Sequence, residues 1–210
     1  MRDRRTPLTA DAQEALAWEK MDGLLPAVVQ DAESGRLLML GYMNREALTA
    51  TLESGFATFW SRSKQRLWRK GETSGNGLAV RTVHEDCDGD ALLVLAEPQG
   101  PTCHEGTASC FGGEPGGPGW LGELREIVAD RASAPADRSY TRRLLDEGVG
   151  RIAQKVGEEG LEVALAAVSR DRSDVTEEIA DLLFHLTVLM QVLELSWPEV
   201  VAVLRQRHEP

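Results

Sequence analysis

The stretch "FGGEPGGPGW", residues 111–120, holds five glycines and two prolines and cannot sustain a helix or a strand. It separates two textures, and that division constrains the fold more than any other feature. We expect an N-terminal domain over 1–113, a linker over 114–119 and a C-terminal domain over 120–210; a chain of 210 residues is long enough for two small cores. The first half carries short β-like runs between turn residues: "LLPAVVQD", "RLLMLGYM", "FATFWSRS", "RLWRK", "LAVRTVHEDCD" and "ALLVLAE". One helix, "NREALTATLES", interrupts them, with Asn44 as its N-cap and Gly55 just past its end. The second half reads as helices throughout: "LGELREIVADRA", "DRSYTRRLLDEG", "GRIAQKVGEEGLEVALAAVSR", "DVTEEIADLLFHLTVLMQVL" and "SWPEVVAVLRQRH". The predicted fold class is a mainly β, α+β N-terminal domain followed by an all-α helical bundle. The first twenty residues fit a short amphipathic helix with no chemistry legible in them.

A net charge of −11 and a pI near 4.9 argue against a general binder of nucleic acid or anionic membrane, and suit a protein that holds cations. No apolar run is long enough to span a bilayer, and no apolar segment follows the basic N-terminus as in a signal peptide. Three cysteines, an odd number in a chain without an export signal, predict reduced thiols and a cytoplasmic protein.

The chemistry concentrates in a few short stretches. In "EDCDGDALL", residues 85–93, an extended backbone would put Asp86, Asp88 and Asp90 on one side and Cys87 on the other. Three carboxylates are hard ligands suited to Mg²⁺, and a thiolate is a soft ligand suited to Zn²⁺. The Asp88-Gly89 pair, a hairpin-turn signal, works against that alternation. An EF-hand is set aside, because Gly89 falls one place early and no helices flank it. In "GPTCHEGTASCF", Cys103 and Cys110 stand near His104. Three cysteine ligands without a fourth fit a catalytic zinc site with one open position, against the alternative of three small core residues. His104 beside such a site is a natural proton acceptor.

Between residues 56 and 81 the charge reverses: Arg62, Lys64, Arg66, Arg69, Lys70 and Arg81 face only Glu72. This basic island predicts phosphate binding, and Trp60 and Trp68 are stacking candidates or plain core residues. Lys70, Glu72, Ser74 and Asn76 belong to the loop "KGETSGNG", which can approach phosphate or ribose closely.

The runs "GYMNREAL", "FWSRSKQRLWRKGETSGN", "DCDGDALL" and "GPTCHEGTASCF" closely resemble phosphoribosyl-AMP cyclohydrolases of histidine biosynthesis, over most of residues 24–113. The resemblance implies a homodimer in which Cys87 of one subunit joins Cys103 and Cys110 of the other around Zn²⁺. It implies Mg²⁺ on Asp86, Asp88 and Asp90, and a substrate site drawing on Trp60, Arg62, Lys70, Glu72, Ser74 and Asn76. It also implies hydrolytic opening of the adenine ring between N1 and C6, the carbon that zinc deaminases of adenine attack, although their H-x-E and P-C-x-x-C signature is absent. Glu105 stands where the family usually has threonine.

In the second half, Glu158, Glu159 and Glu162 follow an E-E-x-x-E pattern on one helical face, and Glu178 and Asp181 are spaced i, i+3 on the next helix. The latter pair borders an apolar stripe of Ile179, Leu182, Leu183, Leu186 and Met190, as in a metal site built inside a bundle. Glu177 is expected to complete a capping box with Asp174. The pattern resembles the all-α, MazG-like nucleotide pyrophosphohydrolases. More narrowly, "SYTRRLLDEG", "KVGEEGLEVALAA" and "EEIADLLFHLTVLM" resemble phosphoribosyl-ATP pyrophosphohydrolases over about residues 120–208. Carried over, Glu158, Glu159, Glu162, Glu178 and Asp181 hold Mg²⁺, with Glu159 and Asp181 catalytic and Lys155 and Arg142 as phosphate contacts. Gly160 replaces the alanine usual in this motif.

The whole then reads as a bifunctional enzyme of histidine biosynthesis acting on phosphoribosyl-ATP and phosphoribosyl-AMP, with no nucleic-acid or membrane partner. Its rivals are a pyrophosphohydrolase with an inactive N-terminal domain, a zinc-stabilised nucleic-acid-binding module, and a structural zinc module fused to a scaffold bundle.

Overall fold

The computed structural model describes residues 6–112, 117–133, 139–169 and 172–208, together with Asp3 and Pro135. Residues 113–116, the last of the predicted N-terminal domain and the first three of the predicted linker, and Asp137 and Arg138, at the start of the second predicted C-terminal helix, lie outside the described residues. The chain divides into two compact units, 1–116 and 117–210.

The N-terminal unit is built on a four-stranded sheet in the order β2-β1-β6-β5. Its strands are β1 (Leu25–Asp31), β2 (Leu37–Met43), β5 (Leu78–Glu85) and β6 (Leu92–Pro98). The central pair β1 and β6 run parallel, with Ala27 opposite Leu92, and the outer pairings are antiparallel. In β1 the alternate residues Leu25, Ala27, Val29 and Asp31 are buried, as a half-buried strand requires. A hairpin of β3 (Thr58–Ser61) and β4 (Arg66–Arg69) forms the second sheet, with Phe59 opposite Trp68 and Trp60 opposite Leu67. Helix α1 (Arg45–Ser54) starts as predicted: the Asn44 side chain accepts from the Ala47 N–H at 2.9 Å, and Gly55 follows the last turn with φ +71°.

Two expectations are corrected here. The N-terminal segment is not an amphipathic α-helix; it forms 3₁₀ turns over Ala10–Ala15 and Trp18–Met21, whose short length lets Leu8, Leu16 and Trp18 reach the core of the sheet unit. And Asp86, Cys87, Asp88 and Asp90 do not alternate along a strand. β5 ends at Glu85, and residues 86–91 form the connection to β6, with Gly89 at φ +72°, a conformation that favours glycine. Asp86 Oδ1 accepts from the backbone N–H groups of Asp90 and Ala91 at 3.0 and 3.2 Å, which closes the turn. The Asp-Gly turn chemistry overrode the strand pattern.

The C-terminal unit is all helical: α2 (Trp120–Ala132), α3 (Tyr140–Asp146), α4 (Val149–Ser169), α5 (Arg172–Val192) and α6 (Trp197–His208). Ser139 caps α3 by accepting from the Arg142 N–H at 3.1 Å, and Ser196 with Glu199 forms a capping box on α6. The box expected from Asp174 and Glu177 does not form, because α5 begins at Arg172 and leaves Asp174 inside its first turn. The core is small: Val128, Leu144, Ile152 and Val188, lined by Leu124, Leu145, Phe184 and Leu189. Of the stripe predicted on α5 only Met190 is buried, and Ile179 is exposed. On α4, Leu161, Leu165 and Val168 make a second helical stripe that is 61%, 62% and 80% exposed. No single helix among the described residues is long and apolar enough to cross a membrane.

Candidate active sites

The loop after β4 curls back on itself and shapes a cavity of about 330 Å³. The Gly75 N–H reaches the Gly71 carbonyl at 2.9 Å. Gly71 has φ +81°, and a Cβ there would lie 2.5 Å from the backbone of Asn76 and Gly77, so only glycine permits this fold of the loop. The cavity is lined by Trp68, Lys70, Glu72, Thr73, Ser74 and Asn76 on one side and by Pro101, Cys103, His104 and Gly106 on the other. Four of the six predicted substrate residues of this half thus meet Cys103 and His104 in one place. Trp60 and Arg62 do not line the cavity; Arg62 stacks over the Tyr42 ring at 4.0 Å. Of the two stacking candidates, Trp68 lines the cavity and Trp60 does not.

Lys70 is the one lysine or arginine of the basic island that lines this cavity. It is 9% exposed, and among the described residues no acceptor is bonded to its ammonium. Other cations of the island are engaged elsewhere: Arg66 pairs with Glu72 at 2.7 Å, Arg81 with Glu97 at 2.5 Å, and Arg69 lies over Phe56.

The thiols of Cys103 and Cys110 are held by the loop 103–110, which is pinned to β2 by the Cys110 N–H on the Leu38 carbonyl at 2.8 Å and by the Ser109 hydroxyl on the Leu37 carbonyl at 2.7 Å. The two thiols are neighbours. The backbone N–H of Glu105, with help from Thr107, holds the Cys103 thiol below the ordinary cysteine range, while burial pushes Cys110 up. Glu105 thus lowers the Cys103 thiol through its backbone N–H, while the charge of its side chain works weakly the other way. His104 Nδ1 lies 3.8 Å from Cys103 Sγ. A second recess of about 410 Å³, lined by Arg36, Cys103, Glu105, Cys110 and Phe111, opens on the same thiols.

Among the described residues, two groups bring three metal-ligating atoms within 4.8 Å of one another: Asp86, Cys87 and Asp88, and Glu159, Glu178 and Asp181. Cys87 does not gather with Cys103 and Cys110 inside one chain. It is exposed on the 86–91 turn, beside carboxylates instead of opposite them. Lys20 ion-pairs with both Asp88 and Asp90, and its ammonium lowers the Asp88 carboxyl below the usual range. A cationic side chain thus stands between these two carboxylates.

The helical site repeats this charge logic. Lys155 bridges Glu158 and Glu159, at 2.9 Å to each, and so stands among the carboxylates. It holds both glutamates below their ordinary range. Glu162 is pushed up, first by its hydrogen bond with Glu159 and then by that neighbour's charge. Glu159 is buried against His185, whose Nδ1 lies 3.5 Å from Glu159 Oε1 and 2.9 Å from the Asp181 carbonyl; its Nε2 meets the Tyr140 hydroxyl at 3.2 Å. His185 and Tyr140 were not singled out in the sequence, where an apolar neighbourhood marks His185 as core. Arg142 is engaged by Asp146 at 2.9 Å and by the Ala132 carbonyl at 2.9 Å.

Residues 39–112 match the family model for phosphoribosyl-AMP cyclohydrolase, and residues 121–208 that for phosphoribosyl-ATP pyrophosphohydrolase. The chain is 55% identical over 202 residues to the histidine biosynthesis bifunctional protein HisIE of Escherichia coli (strain K12), covering 96% of this chain and 100% of that protein. The chain belongs to the HisIE family. The HisIE of Shigella sonnei (strain Ss046) is similar to the same extent, and that of Vibrio vulnificus (strain CMCP6) is 50% identical over 208 residues, 98% of this chain and 99% of the relative. The α+β unit is accordingly the cyclohydrolase domain and the helical unit the pyrophosphohydrolase domain.

Proposed function

We propose that the two units perform consecutive hydrolyses with different metals. The helical unit removes pyrophosphate from phosphoribosyl-ATP, and the α+β unit opens the adenine ring of the resulting phosphoribosyl-AMP. The observation that carries the assignment is the cavity in which Lys70, Glu72, Ser74 and Asn76 meet Cys103 and His104. A buried, unpaired ammonium beside hydroxyl and amide groups suits a phosphorylated ribose, and the Cys103 thiol stands at its edge.

Zn²⁺ would be held by Cys87, Cys103 and Cys110, and Mg²⁺ by Asp86, Asp88 and Asp90 in the first unit and by Glu158, Glu159, Glu162, Glu178 and Asp181 in the second. When bound, zinc supplies Lewis acidity toward water and magnesium neutralises phosphate oxygens. His104 takes a proton from the attacking water as its oxygen bonds to C6 and returns one to N1 as the N1–C6 bond breaks. Lys70 and the 70–77 loop hold the phosphoribosyl group so that the base reaches His104 and the thiols. In the helical unit Glu159, fixed by Lys155 and His185, orients water toward the phosphate chain, with Asp181 beside it.

The protein acts in the cytoplasm as a homodimer. The separation of Cys87 from the other two thiols supports a zinc site completed by a second copy. The exposed stripe of Leu161, Leu165 and Val168 beside a small core supports pairing of the helical units. Selective metal removal tests the assignment. Protein stripped with a zinc chelator in the presence of Mg²⁺ is expected to lose ring opening, keep pyrophosphate release, and recover on addition of Zn²⁺. Ring opening that survives complete loss of zinc would refute it.

A further inference from the structure

The segment before β1 is fastened to the turn that carries Asp86, Cys87, Asp88 and Asp90. Leu8, Leu16 and Trp18 are buried in the core of the sheet unit, and the Leu8 N–H bonds the Val83 carbonyl at 2.7 Å. The Ala17 N–H bonds the Gly89 carbonyl, in the turn itself, at 2.8 Å. The approach is close enough that a Cβ on Gly89 would lie 3.4 Å from the Ala17 nitrogen. Arg45 lies over the Trp18 ring at 5.1 Å and pairs with Glu14, which ties the same segment to α1. The backbone that carries Lys20 is therefore fixed, while its side chain is about half exposed and can swing into solvent. From that position its ammonium pairs with Asp88 and Asp90 together. Lys20 lies outside the span matched by the cyclohydrolase family model, which begins at residue 39.

We propose that Lys20 is a built-in counter-cation of the 86–91 turn, neutralising Asp88 and Asp90 when no divalent ion is bound and leaving when one arrives. The inference rests on the reading that these aspartates bind a divalent cation. Loading the turn is then an exchange of one cation for another. Without Lys20, adjacent carboxylates would repel across a turn whose Asp86 is already committed to backbone N–H groups. With it, the turn is held near its metal-binding shape, and each binding event must first release two exposed ion pairs, which weakens metal affinity.

The test uses the full chain and Mn²⁺, counted by the loss of the free-ion electron paramagnetic resonance signal, with thermal melting as the second readout. The class of sites lost in Asp88→Asn defines the turn. In Lys20→Met that class is expected to bind about three- to tenfold more tightly, as the loss of two exposed pairs implies. The metal-free protein is expected to melt lower than wild type, with the gap closing at saturating Mn²⁺. Lys20→Gln should behave like Lys20→Met, and Lys20→Arg should keep wild-type affinity, since it keeps the charge. Unchanged or weaker Mn²⁺ binding in both neutral variants would overturn the proposal while leaving the metal site standing. If Asp88→Asn loses no class of sites, the turn is not a metal site and the proposal falls with that reading.

Discussion

Glu159 and Glu162 stand one helical turn apart on α4 and are shifted in opposite directions: Lys155 holds the first down, and the hydrogen bond to Glu159, followed by that neighbour's charge, pushes the second up. Carboxyls held down, as in Glu158 and Glu159, contribute stability that is present above the unfolded-state pKa and lost as pH falls through the lowered one. A carboxyl pushed up works the other way, and its contribution is lost as pH rises through the raised value. In metal-free protein, Glu162→Gln should therefore be more stable than wild type at neutral pH, with the gap closing in acid near the glutamate range. Melting curves at the two pH values check this, and a gap that widens in acid would contradict it. These glutamates were legible from spacing alone, since i, i+3 and i+4 positions share a helical face. Lys20 was not: it meets Asp88 across 68 residues of chain, and no local pattern encodes that contact. His185 was equally silent, because its partners Glu159 and Tyr140 come from two other helices.

At the scale of elements, capping and close packing decide where the site residues stand. Helix α1 was readable to its ends because Asn44 and Gly55 act within one turn. The 86–91 turn was misread because a period-two pattern of aspartates and a two-residue turn signal occupied the same stretch, and the turn won. Packing between elements supplies a sharper case. Gly41 in β2 faces the buried ring of Phe59 in β3, and a Cβ there would lie 2.4 Å from the ring. The β3–β4 hairpin leads into Lys70 and the cavity loop, so this contact also sets the site. Gly41→Ala is expected to destabilise the N-terminal unit by about 1–3 kcal/mol, the usual range for overpacking. Denaturant unfolding measures it, and a change near zero would mean that Phe59 can move aside freely.

On the scale of the whole molecule, a glycine- and proline-rich stretch divides the sequence, and an α+β unit precedes a helical one, as the change of texture predicts. What one chain lacks is as informative as what it holds. Its three thiols do not converge, and its helical unit leaves apolar stripes in solvent. Sedimentation equilibrium of wild type should give twice the mass of a 23.0 kDa chain. Leu161→Glu with Leu165→Glu should shift it toward the monomer, while a monomeric wild type would contradict the proposal of a zinc site shared between two copies. Two hydrolytic sites on one chain, each working without the other, should be separable by single substitutions. The most direct measurement supplies phosphoribosyl-ATP with Mg²⁺ and Zn²⁺ and follows pyrophosphate release and ring opening together in wild type, Cys103→Ala and Glu159→Gln. Wild type should give both signals. Cys103→Ala should release pyrophosphate normally with ring opening reduced at least about a hundredfold, on the scale of losing a principal catalytic group. Glu159→Gln should lose both from this substrate yet open the ring of supplied phosphoribosyl-AMP at the wild-type rate. If Cys103→Ala also stops pyrophosphate release, or Glu159→Gln also stops ring opening of phosphoribosyl-AMP, the two sites are not independent.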